Sequence, residues 1–214
     1  MMGLGGSGLG DLLKTIVGAG LGTFFMQALL TLWRDGRQRG SSARYMAMRL
    51  AVMLEAFAGR CADMIAENDN AIELPDEEYP QWITALPELP EYPTDSDGWR
   101  AIDGSLATRC LEFRNRIEGS QGLIRSTCQS DEDGMKDQID RQAAERGMEA
   151  WHLAVDMRRE NGLPKVDLVW DFTSTLNSAI DRVDKSKRDR LERSAASMQA
   201  LAARFAAMPS ETKS

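Results

Sequence analysis

A single histidine, only three cysteines and no strand-like alternation leave few routes to catalysis in this 214-residue chain. His152 flanks Trp151 away from the apolar stripe of its segment, and no cysteine or carboxylate stands at a fixed spacing from it. Acid–base or metal chemistry by one imidazole needs such partners, so His152 reads as a surface residue. Cys61, Cys110 and Cys128 are odd in number and contain no C-x-x-C pair. Cys61 and Cys110 fall on apolar helix faces, where a thiol behaves as a small hydrophobe. They are expected to be reduced core residues, a disulfide or metal set being the weaker alternative.

Other absences narrow the field further. The glycine-rich start, Gly3 to Gly10, follows no strand and precedes no G-K-[ST], so it is no phosphate loop. Asp131-Glu132-Asp133-Gly134 resembles part of a calcium loop, but aligning Gly134 with the invariant glycine puts Gln129 first and Asp140 last. Calcium binding asks for Asp first and a bidentate Glu last. Asp95-Ser96-Asp97-Gly98 fails in the same way. No catalytic residue, cofactor-binding residue or metal ligand is therefore assigned, and the chain is expected not to be an enzyme. Between Glu67 and Asp97 there are ten acidic residues and no Lys or Arg, which leaves the rest of the chain only slightly basic. That is not the footprint of a nucleic-acid binder.

What is present favours helix. Aromatics make up 7% of the chain, while Ala, Met, Leu, Arg and Glu are abundant, and unbranched side chains lose little rotamer freedom in a helix. Thr15 to Trp33 is a 19-residue run without a charge, close to the length that crosses a hydrocarbon core. Ile16, Val17, Leu21, Phe24, Phe25, Leu29, Leu30 and Leu32 supply on the order of −3 to −4 kcal/mol of insertion free energy. Gly18, Gly20, Gly22, the threonines and Gln27 erode it. Trp33 stands where an interfacial aromatic belongs, and Arg34, Arg37, Arg39 and Arg44 follow, against only Asp11 and Lys14 before the run. The positive-inside rule then places the C-terminal part in the cytoplasm, with the chain in the inner (plasma) membrane. A signal peptide would carry its charge before the apolar run. An interfacial or oligomer-buried helix is the remaining alternative. Gly18 and Gly22 form a G-x-x-x-G pair, a candidate contact for a homodimer through this helix.

The expected organisation is a flexible Gly-rich stretch (1–11), a transmembrane helix (12–33), a basic juxtamembrane linker (34–42), a cytoplasmic helical bundle (43–207) and a disordered tail (208–214). Within the bundle, Leu50, Met53, Leu54, Phe57, Cys61, Met64 and Ile65 mark a helix over Arg44 to Glu67, capped by Ser41 or Ser42. Asp103 is the expected cap of a second helix with Leu106, Cys110, Phe113, Ile117 and Ile124 on one face. A third opens near Asp131 and presents Met135, Ile139, Ala143, Ala150, Trp151, Ala154 and Met157. Arg158, Arg159, Asn161-Gly162 and Pro164 close it. A fourth runs from about Asp171 to Ala207 with Phe172, Leu176, Ile180 and Val183 inward. Similar lengths with alternating direction predict an antiparallel bundle of about four helices. Beyond the charged stretch Asp184 to Glu192, Leu191, Met198 and Phe205 repeat every seven with Leu201 and Met208 at the second seam position. Two heptads are few for a coiled coil, so this tail is expected to fold on its own bundle or to fray.

The acidic Pro-rich loop at 69–98 lacks periodicity. Pro87, Pro90 and Pro93 keep the three-residue period of polyproline II. Trp82, Leu89 and Tyr92 are expected to pin the loop on the bundle. The alternative is a partner-binding strip made of Pro87, Pro90, Tyr92 and Pro93.

Arg44-Tyr45 through Cys61-Ala62, Leu86-Pro87-Glu88-Leu89-Pro90, Leu111 to Ile117 (LEFRNRI), Ala150-Trp151 through Gly162-Leu163-Pro164, and Trp170-Asp171-Phe172 span most of the chain. Together they resemble a loose group of uncharacterised bacterial single-pass membrane-anchored helical proteins. The resemblance implies the architecture and carries no activity. The expected role is a non-enzymatic interaction or structural module at the cytoplasmic membrane face, in contact with the lipid bilayer and with an unknown protein partner. An enzyme with a site between the bundle and the acidic loop, or a phage or prophage envelope component, are the other readings.

Overall fold

The computed structural model describes residues 40–71, 82–130 and 134–207, and these form an all-α bundle. Helix α1 covers 40–69, α2 is Ser96–Ala101, α3 is Gly104–Ser130, α4 is Met135–Glu160 and α5 is Phe172–Ala207. The apolar segment 12–33 and most of the linker 34–42 lie outside the described residues, as do Asp131 and the tail 208–214. Among the described residues no helix is long and apolar enough to cross a membrane.

Helix α1 is the most enclosed element. Its predicted stripe of Leu50, Leu54, Phe57, Cys61, Met64 and Ile65 is buried, and beside it Ala47, Ala51, Ala58 and Ala62 are buried as well. Two adjoining stripes, one of them only methyl groups, let several helices approach α1 at once. Residue 40 is already helical, so Ser41 and Ser42 lie inside α1 and neither is the expected cap at its beginning. The ring of Phe57 meets that of Phe113 in α3 edge-on, centroids 5.5 Å apart. Gly147 of α4 marks a close approach: a Cβ there would sit 3.0 Å from the Cβ of Cys61 and from both terminal methyls of Leu176 in α5.

Three of the helix ends that the sequence marked are built as it implied. The Asp103 carboxylate accepts from the backbone N–H of Ser105 and Leu106 and opens α3. Asp171 accepts from the N–H of Thr173 and opens α5. Helix α4 closes with Gly162 at φ 59°, the Leu163 N–H on the Arg158 carbonyl (2.9 Å) and the Gly162 N–H on that of Arg159 (3.3 Å). Only glycine takes that left-handed conformation without a steric penalty.

Contacts fix the helix directions. Arg158 pairs with Glu55 and Lys136 with Asp69, so α1 and α4 are antiparallel. Arg109–Asp156 and Arg116–Glu149 make α3 antiparallel to α4. Arg141–Asp184 and Arg190–Asp137 do the same for α4 and α5. Helices α1, α3 and α5 therefore run one way and α4 the other. This corrects the expected strict alternation: α1 and α3 are parallel because the chain returns between them as an extended strap, 82–95, instead of a helix.

Two cysteines are locked into this core. Cys61 and Cys110 are fully buried, all three cysteines are free, and burial pushes both core thiols up to about 12. Cys128 is half-buried near the end of α3. Since thiolates and not thiols are alkylated, brief iodoacetamide treatment at neutral pH is expected to modify Cys128 in the folded protein. Cys61 and Cys110 should react only after denaturation, and early modification of either, mapped by mass spectrometry, would contradict the packing.

Candidate functional site

Three features stand out from the closed bundle: the strap, a ring of charges, and the far half of α5. The strap carries a high share of prolines, which have no backbone N–H, so its polar backbone groups are largely carbonyls. The helices supply donors for them. Asn68 of α1 accepts from the Ile83 N–H (2.7 Å) and donates to the Ile83 carbonyl (3.1 Å). Gln121 of α3 repeats the arrangement, accepting from the Leu86 N–H (2.7 Å) and donating to the Thr84 carbonyl (3.0 Å). Arg60 then donates to the Glu88 carbonyl at 2.8 Å and Arg114 to that of Pro90 at 2.7 Å.

Apolar anchors fill the groove beneath. Leu86, Leu89 and Pro93 are buried, and Trp82 and Tyr92 are half-buried against the core. The Tyr92 hydroxyl donates to the Cys110 carbonyl at 2.9 Å, and the Arg114 guanidinium stands 4.9 Å over its ring. The Trp99 indole N–H donates to the Pro93 carbonyl at 2.7 Å. Of the residues singled out as a partner strip, Tyr92 and Pro93 thus face the bundle. Pro87 is half-buried and Pro90 exposed, flanking a shallow depression with Arg60 and Glu88. The pinning by Trp82, Leu89 and Tyr92 matches the expectation. The part played by Arg60, Arg114, Asn68 and Gln121 does not follow from their positions, because each reads as an ordinary polar residue on a helix edge. Gly18 and Gly22 lie outside the described residues.

The charge ring joins α1, α4 and α5. Lys136 Nζ lies 2.6 Å from Asp69 Oδ1 and 2.7 Å from Asp140 Oδ2. Arg182 closes the square with Nη2 at 2.8 Å from Asp140 Oδ2 and Nη1 at 3.0 Å from Asp69 Oδ2. Asp140 is 1% exposed, and its other oxygen is buried without a hydrogen bond. Burial works to raise the Asp69 carboxyl, but the hydrogen bond and charge of Lys136, with Arg182, outweigh it and hold that carboxyl below its ordinary range. Asp140 was legible in principle: it sits three residues before Ala143 on the apolar stripe of α4, with Lys136 four residues earlier.

The ring neutralises itself, His152 is exposed, and among the described residues no three His, Cys, Asp or Glu side chains cluster as metal ligands. No protein-family profile, curated protein or solved structure matches the chain.

The far half of α5 is the third feature. Every residue from 191 to 202 is exposed, including Leu191 (62%), Met198 (65%) and Leu201 (48%). The helix continues unbroken to Ala207. The tail was expected to fold on its own bundle or to fray; the first is corrected, because α5 leaves the bundle, and the helix runs on to Ala207.

Proposed function

We propose that the chain is a single-pass membrane-tethered helical module whose work is interaction and not catalysis. The observation that carries the reading is the charge-free run Thr15 to Trp33 followed at once by Arg34, Arg37, Arg39 and Arg44. The geometry at the near end of the bundle supports it. The described part of α1 nearest the chain start lies beside the end of α4, where Arg44 donates to the Gly162 carbonyl at 3.1 Å. On the outer face of the first turns of α1, Tyr45, Met48 and Val52 are exposed, with Arg49 placed over the Tyr45 ring. Aromatic, apolar and basic groups together suit the headgroup level of an anionic cytoplasmic leaflet. The Gly18 and Gly22 pair would serve contact between spans, the strap edge at Pro87 and Pro90 contact with a protein partner. The resemblance to bacterial membrane-anchored helical proteins points the same way.

The test is fractionation of cells expressing the full chain. The protein is expected in the membrane pellet and to stay there through alkaline carbonate extraction. Recovery in the soluble fraction after lysis would overturn the reading, and a protease-protected bundle in right-side-out vesicles would support the cytoplasmic orientation.

A further inference from the structure

Among the described residues, nothing packs on the apolar face of the exposed half of α5. Its first half is held against the bundle by Phe172, Leu176, Ala179 and Val183, all buried. At 3.6 residues per turn, eighteen residues make five full turns. Ser194 stands that far beyond Leu176, and Leu201 that far beyond Val183. The exposed seam of Leu191, Ser194, Met198 and Leu201 therefore continues the buried face in the same direction. Ala195, Ser197 and Ala202 flank it, while Glu192 and Arg193 lie toward the far side of the helix.

In the bundle the neighbour on that face is α4, which runs antiparallel to α5 and begins at Met135. Ser186 and Arg190 both bond Asp137 in the first turn of α4, at 2.8 and 2.6 Å. Past that level α5 goes on for seventeen residues, about 25 Å, without α4. A copy of α5 lying on the seam must run as α4 runs. A parallel copy of α5 cannot, because its own first half would occupy the space that α4 fills. An antiparallel copy can, since its far half lies on the line of α4 beyond the bundle end.

The sequence fits that arrangement. Antiparallel seams pair first with second heptad positions. Centring the two-fold between 198 and 201 sets Met198 against Leu201 of the copy and Ser194 against position 205, a phenylalanine. A small residue thus meets the largest one, and no like charges face each other. We infer that two copies of this chain pair through residues 191–207 of α5 as an antiparallel, two-fold-symmetric contact. It buries on the order of 1,000 Å² in total, the low end for a specific interface, so the pair is weak and reversible. The inference does not rest on the anchor. In an anchored protein it puts the two chain-start ends at opposite poles, joining copies that face each other and not neighbours in one membrane plane.

Sedimentation velocity and thiol crosslinking of the full chain in a mild non-ionic detergent test this. A concentration-dependent dimer is expected, weakened at least about 100-fold by Leu191→Ser, Met198→Ser and Leu201→Ser together. These positions are exposed, so the melting curve should be unchanged. In a Cys128→Ser background, Ser194→Cys and Phe205→Cys proteins should crosslink when mixed and not when alone. A monomer at all concentrations overturns the inference, as does crosslinking of Ser194→Cys to itself. A dimer that survives the triple substitution without the 194–205 crosslink assigns pairing elsewhere, such as Gly18 and Gly22, and overturns it equally.

Discussion

Phe57→Ala is expected to lower the unfolding free energy by about 3–5 kcal/mol, read by urea denaturation followed by circular dichroism in mild detergent. Phe57 is completely buried and lies on the helix that the others surround. Its partner Phe113 is also fully buried, and the two rings meet at 90°. The loss combines the transfer free energy of the ring with a cavity that α1 cannot collapse into, since Gly147 already sets α4 against it as closely as backbones allow. Phe113→Ala should cost a similar amount. The double variant should cost less than the sum by about 0.5–1.5 kcal/mol, the share of the edge-on ring pair. A cost under about 1 kcal/mol for Phe57→Ala would mean that α1 and α3 do not meet where the structure has them.

Phe57 was visible in the sequence because helical periodicity is local: Leu50, Leu54, Phe57 and Cys61 announce one face by spacing alone. The caps at Asp103 and Asp171 and the stop at Gly162 were visible for the same reason, each needing only a few neighbouring residues. The parallel relation of α1 and α3 was hidden, because it depends on an extended strap whose carbonyls at Ile83, Thr84, Glu88 and Pro90 are met by donors 15 to 37 residues away. Nothing in the local sequence marks Gly147 as the point where three helices converge. The heptad spacing of Leu191, Met198 and Leu201 could be read, but not the level at which α4 ends and leaves that face open. In the charge ring, Lys136 and Asp140 form an ordinary i,i+4 pair by sequence. Only the approach of α1 and α5 makes Asp140 a buried charge.

That burial sets the second large effect. Replacing Lys136 and Arg182 together by methionine is expected to cost about 3–5 kcal/mol, whereas Asp140→Leu should stay within about 1 kcal/mol of the wild type. The asymmetry follows from exposure. Lys136 and Arg182 are 30% and 45% exposed, so without Asp140 they turn toward water and keep Asp69 as a partner. Asp140 is 1% exposed and one of its oxygens already lacks a hydrogen bond, so without the cations its charge has no recourse. The two proteins should also respond to acid differently. In the wild type, Asp69 titrates below its unfolded value, so the stability it contributes is present above about pH 4 and is lost as pH falls through the lower, folded value. The double variant has already lost the cations that hold Asp69 there, so this loss on acidification is absent from it. Urea midpoints measured from neutral pH downward should therefore converge. Curves that stay parallel would show that Lys136 and Arg182 do not hold Asp69 in the folded protein.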